Sequence, residues 1–332
     1  MKKIYNFSAG PACLPEPALK ASKSAVKDYK NSGISILEMS HRSAPVVDLF
    51  EDTTQNLINL LNIPENYSVL WLQGGASLQF TMVPMNILPS GGTADYIDTG
   101  SWSAKAVIEC QKFGNVKVIG SSKDSVYSYI PKNVVTSEDA SYLHITSNNT
   151  IYGTQYKSFP EIKYTNSYLV ADMSSDILSK PIDISQFGLI YAGAQKNMGP
   201  AGVTLVIIRK DLLDSNFRDV PTMIRYKTHS SKDSMFNTPP VFSVCVVNET
   251  LKWIQSLGGL KEMEIINERK AEKLYTEIER NSLFKSPINK EDRSTMNVPF
   301  VFLDNKIDDK IFLEYCLSRG LTLSLIHISE PT

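Results

Sequence analysis

Strong net charge, paired cysteines, clustered histidines and long apolar runs are all missing from this chain of 332 residues, and each absence removes a class of function. Lysine and arginine number 34 against 35 acidic residues, a formal net charge of −1, so no overall basic field exists to gather nucleic acid. No apolar run approaches the ~18 residues that a membrane span requires. The opening "MKKIYNFSAGPACLP" breaks at Asn6, Ser8, Gly10 and Pro11 before an apolar export core forms, so an unexported, cytoplasmic protein is expected. Cys13, Cys110, Cys245 and Cys316 form no Cys-x-x-Cys pair, and His41, His144, His229 and His327 show no ligand spacing. Reduced thiols and no structural metal follow. Internal repeats and low-complexity segments are absent as well.

What is present reads as globular. Hydrophobic residues make up 42% of the chain, and its length exceeds the usual size of one core, which favours two domains. Runs rich in β-branched and aromatic residues recur at 68–73, 94–99, 116–120, 142–146, 168–172, 188–193 and 203–209, the signature of strands. Longer amphipathic stretches such as "ASLQFTMVPMNIL" and "SWSAKAVIECQKFG" alternate with them as βαβ units do. The expected fold is α/β, a mostly parallel sheet between layers of helix. At Gly258-Gly259 the pattern changes, and 260–280 reads as a charged, exposed helix leading into a smaller α+β domain. The division expected is 16–257 for the large domain, with 1–15 and 258–332 for the small one.

In an open parallel sheet, ligands bind where the strands end, so the following loops should carry the chemistry. After 68–73 comes "GGAS", whose bare N–H groups at a helix start can cradle a phosphate. After 94–99 comes "GSW", ending on Trp102, whose flat face suits stacking on an aromatic ring. "SNNT" ends on Thr150, the run 168–172 ends on Asp172, and "GAQKNMGPAG" carries Gln195 and Lys196. Lys196 is followed by Asn197, not by the Ser or Thr of a nucleotide-binding P-loop. Short of a solvated turn lysine, the other common use of a lysine in a tight polar loop is covalent, an amine condensing with a carbonyl. A phosphate cradle, a stacking ring, an acid for a pyridinium and an amine for an aldehyde are the handles of pyridoxal 5′-phosphate (PLP).

The stretches "NFSAGPACLP", "EMSHRS", "LQGGASLQF", "SNNTIYGTQY", "ADMSSDILSKPID", "GAQKNMGPAG" and "FNTPP" make the chain resemble the phosphoserine aminotransferase family. That family lies in the class V aminotransferase group of the fold-type I PLP-dependent enzymes, and the resemblance runs from Asn6 to about Thr322. It implies that Lys196 is the Schiff-base lysine, that Asp172 pairs with the pyridine nitrogen, that Trp102 stacks on the ring and that Thr150 bonds its polar edge. Gly75, Ala76, Ser77 and Gln195 would surround the phosphate, with Asn237 and Thr238 reaching in from the second subunit of a homodimer. Ser8 would fold over the substrate, while His41 and Arg42 would hold its anions, a task for which a guanidinium fork is suited.

The reaction implied is a ping-pong exchange in serine biosynthesis. Glutamate leaves as 2-oxoglutarate, and 3-phosphohydroxypyruvate becomes phosphoserine. A phosphohydroxythreonine of pyridoxine biosynthesis would fit the same anion site. Two alternatives stay open: a PLP-binding remnant with little turnover, and an aminotransferase of the same fold using another small amino donor. After "SRGLT" the family continues with Gly-His-Arg and Arg-Ala-Ser motifs, whereas this chain reads "LSLIHISEPT". Leu323–Thr332 is therefore expected to be foreign sequence on a truncated chain.

Overall fold

A computed structural model describes residues 4–215, 217–304 and 308–323. The expectation of a foreign tail lies, past Leu323, outside the described residues. The strands are β1 (Tyr5–Asn6), β2 (Tyr67–Leu72), β3 (Thr93–Asp98), β4 (Asn115–Ser121), β5 (Ala140–Thr146), β6 (Tyr168–Asp172), β7 (Phe187–Gly193), β8 (Thr204–Arg209), β9 (Phe284–Lys285), β10 (Val301–Phe302) and β11 (Leu321–Thr322). The helices are α1 (Glu16–Lys27), α2 (Ala44–Leu61), α3 (Gly75–Ile87), α4 (Ser101–Cys110), α5 (Lys210–Leu213), α6 (Tyr226–Ser230), α7 (Val241–Ser256), α8 (Leu260–Arg280) and α9 (Asp309–Ser318).

Seven strands form the main sheet in the order β2-β8-β7-β6-β5-β3-β4. All its neighbours pair in parallel except at β8, which runs antiparallel to both β2 and β7. The cause is local: residues 194–203 join β7 to β8 with no helix between them, and a parallel crossover needs a dozen or more residues.

Strand alternation divides the core into two faces. In β7, Leu189 and Tyr191 join one buried cluster while Ile190 and Ala192 join the other. In β8, Val206 and Ile208 take the first face, and Leu205 and Ile207 the second. The first face is covered by Phe80, Met82, Val83 and Ile87 of α3 and by Ala106 and Cys110 of α4. The second is covered by Leu49, Phe50 and Leu57 of α2 and by Val244, Val247 and Leu251 of α7. Each such aliphatic side chain contributes about 1.5–3 kcal/mol on full burial, so the sheet is held from both sides.

The helix read as charged and exposed, α8, is exposed over most of its length and buries one stripe, Leu260, Met263, Asn267, Ala271, Tyr275 and Ile278, at three- and four-residue spacing. Beyond it β9 pairs with β10 in antiparallel fashion, and β11 returns to pair in parallel with β1, Tyr5 opposite Leu321. Among the described residues no helix is long and apolar enough to cross a membrane.

Candidate active site

Lys196 leaves the end of β7 in a turn that small residues allow to press against the fold. A Cβ at Gly199 would lie 2.6 Å from Val247 Cγ2, and one at Gly10 would lie 3.1 Å from Lys196 Cγ. The amino-terminal segment therefore lies against the lysine, and the Ala12 N–H donates to the Gln195 carbonyl at 2.9 Å. The half-buried Lys196 donates from Nζ to Thr150 Oγ1 at 2.6 Å and sits 4.9 Å from the centre of the Trp102 ring. Burial lowers its pKa, opposed by the charges of Asp172 and Asp176. Under Lys196, a cavity of about 230 Å³ reaches Cys13, Trp253 and Lys270 but touches none of Trp102, Thr150 or Asp172.

Asp172 is the last residue of β6 and is 4% exposed. Burial raises its pKa, and Lys196 and then the Ser174 hydrogen bonds pull it back. Both Ser174 bonds, from N at 2.9 Å and from Oγ at 2.6 Å, fall on Oδ1. Among the described residues none donates to Oδ2. Behind it lies a second buried acid, Asp176, which accepts a very short hydrogen bond from Ser147 Oγ and one from Gln155 Nε2 at 3.1 Å. Burial drives the Asp176 carboxyl up to about 6. The Ser147 N–H donates to the Asp172 carbonyl at 2.9 Å, and its Oγ lies 3.0 Å from the same oxygen. Sequence reading singled out Asp172 in "ADMSSD" and passed over Ser174 and Asp176. The signal was the density of short polar residues after a strand, which favour local hydrogen-bonded turns.

Gly74 and Gly75 take φ of 90° and 65°, and Gly75, Ala76 and Ser77 form the first turn of α3. Their N–H groups have no carbonyl one turn earlier to bond, which makes the turn an anion seat. At Gly75 the turn is open, since a Cβ there would have nothing within 4 Å. Gln195 folds back over Gly193, its Oε1 2.8 Å from where a Cβ there would stand. Trp102 was expected at the end of a loop. It lies in the first turn of α4, because the Ser103 hydroxyl accepts from the N–H groups of Thr99 and Gly100 and starts the helix early. Its ring is also faced by Lys105 Nζ at 5.0 Å, one turn on, and its buried Nε1 has no partner among the described residues.

The remaining candidates are placed by other contacts. Asn237 borders a cavity of about 140 Å³ with Gln73, and the Thr238 carbonyl accepts from Gln73 Nε2 at 3.3 Å, so both lie near the end of β2 of their own chain. Ser8 is half-buried, its N–H donating to Asn6 Oδ1 at 2.9 Å. Arg42 is exposed just before α2, and the neighbouring His41 has a buried Nε2 with no described partner. No hydrogen bond links Ser8, His41 or Arg42 to Lys196, Asp172, Trp102 or Thr150 among the described residues.

A family model described as aminotransferase class V matches residues 4–321. The phosphoserine aminotransferase of Lysinibacillus sphaericus is 49% identical over 316 residues, covering 94% of this chain and 87% of its own. That of Flavobacterium psychrophilum is 48% identical over 323 residues, covering 97% and 89%. Among solved structures, phosphoserine aminotransferase from Bacillus circulans subsp. alkalophilus matches with a TM-score of 0.94 at 43% identity, covering 98% of this chain and 91% of its own. A PLP-bound phosphoserine aminotransferase from Trichomonas vaginalis gives 0.91 at 36% identity, covering 96% and 91%. At such identity over nearly the whole of each chain, the protein belongs to the class V aminotransferase family and to its phosphoserine aminotransferase branch.

Proposed function

We propose that the chain exchanges an amino group between glutamate and 3-phosphohydroxypyruvate, giving 2-oxoglutarate and phosphoserine, with PLP held at the Lys196 edge of the sheet. The observation that carries this reading is Lys196 itself, half-buried, lowered in pKa and held between the Thr150 hydroxyl and the Trp102 ring. The residues present fit PLP. Asp172 has an oxygen with no described donor, and the first turn of α3 has open space at Gly75.

PLP supplies, when bound, an aldehyde for an amine and a protonated ring that draws electrons from the carbon losing its proton. Asp172 would hold the proton on the ring nitrogen, Trp102 would cover one ring face, and Thr150 would orient the polar edge. Gly75, Ala76, Ser77 and Gln195 would seat the phosphate. Lys196, eased toward the neutral amine by burial, would bind the aldehyde and afterwards carry a proton at the reacting carbon, a task that requires a pKa well below the ~10.4 of free lysine. Arg42, with His41 and Ser8, would receive the substrate's anions. We further propose a cytoplasmic homodimer in which Asn237 and Thr238 complete the neighbouring phosphate seat.

Lys196→Ala tests the reading. The variant should keep its circular dichroism and melting temperature yet yield no borohydride-trappable cofactor and no spectral change with glutamate. A trapped adduct in that variant would remove Lys196 from its role. A panel of keto acids tests the substrate, with 3-phosphohydroxypyruvate expected to restore the starting spectrum faster than glyoxylate.

A further inference from the structure

We propose that Ser174 is a positioning residue for amino transfer, clamping the Asp172 carboxylate to the end of the strand that delivers Lys196. Ser174 is 3% exposed and makes three hydrogen bonds to two partners. Its N–H and its hydroxyl both donate to Asp172 Oδ1, at 2.9 and 2.6 Å. Its oxygen accepts the Gly193 N–H at 3.1 Å, where β7 ends three residues before Lys196.

A backbone bond from two residues on would by itself close an ordinary turn after β6. The hydroxyl adds two things that such a turn does not need. Its second donor on Oδ1 fixes the rotation of the carboxylate and leaves Oδ2 to point where one donor can meet it. Its bond from Gly193 ties that carboxylate to β7, so that acid and amine cannot drift apart independently. Gly193 also carries the close approach of Gln195, which places the same joint beneath a residue assigned to the phosphate.

Because donors favour the charged form of a carboxylate, the hydroxyl also counters the burial that raises the Asp172 pKa. The inference rests on the assignment of Asp172 to the ring nitrogen.

The test compares Ser174→Ala, Ser174→Thr and Asp172→Asn. In cofactor-free protein labelled at aspartate, the carboxyl carbon resonance of Asp172, assigned by its loss in Asp172→Asn, should titrate at higher pH in Ser174→Ala than in the parent. In holoenzyme, kcat per bound cofactor should fall on the order of tenfold while KM for glutamate stays within about twofold, since Ser174 is assigned no contact with substrate. Ser174→Thr, which keeps the hydroxyl, should recover most of both. An unshifted Asp172 titration with kcat intact in Ser174→Ala would overturn the proposal and leave Ser174 a turn residue. If the extra methyl of threonine prevents folding, the alanine readings alone decide. Full activity in Asp172→Asn would instead sink the role of Asp172, whatever Ser174 does.

Discussion

His144 takes no assigned part in the chemistry, yet its burial should weaken the fold in acid. It lies in β5, stacked 4.8 Å from Tyr96, with Nε2 2.8 Å from the Tyr191 hydroxyl. Burial drives its pKa down to about 3 from an ordinary 6.5. Above pH 6.5 the imidazole is neutral in folded and unfolded chains alike and exerts no pull. As pH falls from there toward 3, the unfolded chain gains a proton that the folded one refuses, so stability drains by up to on the order of 5 kcal/mol. His144→Gln keeps a polar partner for Tyr191 and removes the titration. Its melting temperature should therefore decline less than the parent's between pH 6.5 and 4. Parallel declines in calorimetry would show that other groups set the acid limb.

Among the elements, the turn at 147–155 joins the site to the later chain. Asn148 Nδ2 donates to Ser175 Oγ and to Asn297 Oδ1, both at 2.8 Å, and Gln155 Oε1 accepts from Thr295 N at 3.1 Å. The Gly153 carbonyl accepts the Ser294 N–H at 2.8 Å. Gly153 has φ of 76°, and a Cβ there would stand 2.3 Å from Pro299 Cδ. Gly153→Ala should cost on the order of 2–4 kcal/mol through left-handed strain and overpacking. Because Thr150 rides on the same turn, cofactor affinity should drop with the melting temperature. Unchanged affinity in a variant that is measurably destabilised would uncouple the turn from Thr150.

Much of this level was legible beforehand. Strands such as 68–73 and 188–193 show as β-branched runs because both faces of the sheet are buried, and they fall within a residue of β2 and β7. The reversal of β8 was not legible, since periodicity carries no direction. Nor were Ser174 and Asp176, whose significance lies in which buried oxygen they meet. Lys196, Thr150 and Trp102 could be picked out because each follows a strand; their distances could not.

For the whole molecule, the proposed homodimer makes a prediction that one chain alone cannot satisfy. If Asn237 and Thr238 serve the neighbouring subunit, inactive Lys196→Ala chains mixed with inactive Asn237→Ala/Thr238→Ala chains should give heterodimers with one intact site, and about a quarter of parental activity at full exchange. No recovery after verified exchange would assign the pair to their own chain, where the Thr238 carbonyl already meets Gln73.

The antiparallel β8 bears on the order in which the molecule assembles. Pairing Gly193 with Thr204 closes a short loop, whereas pairing Leu72 with the same Thr204 closes one more than ten times longer. Closure entropy grows with loop length, so the hairpin that encloses Lys196 can zip before the edge strand β2 arrives. The amine is thus carried on one of the most local pairings of the sheet, whereas the Thr150 hydroxyl and the Trp102 ring that hold it come from distant parts of the chain.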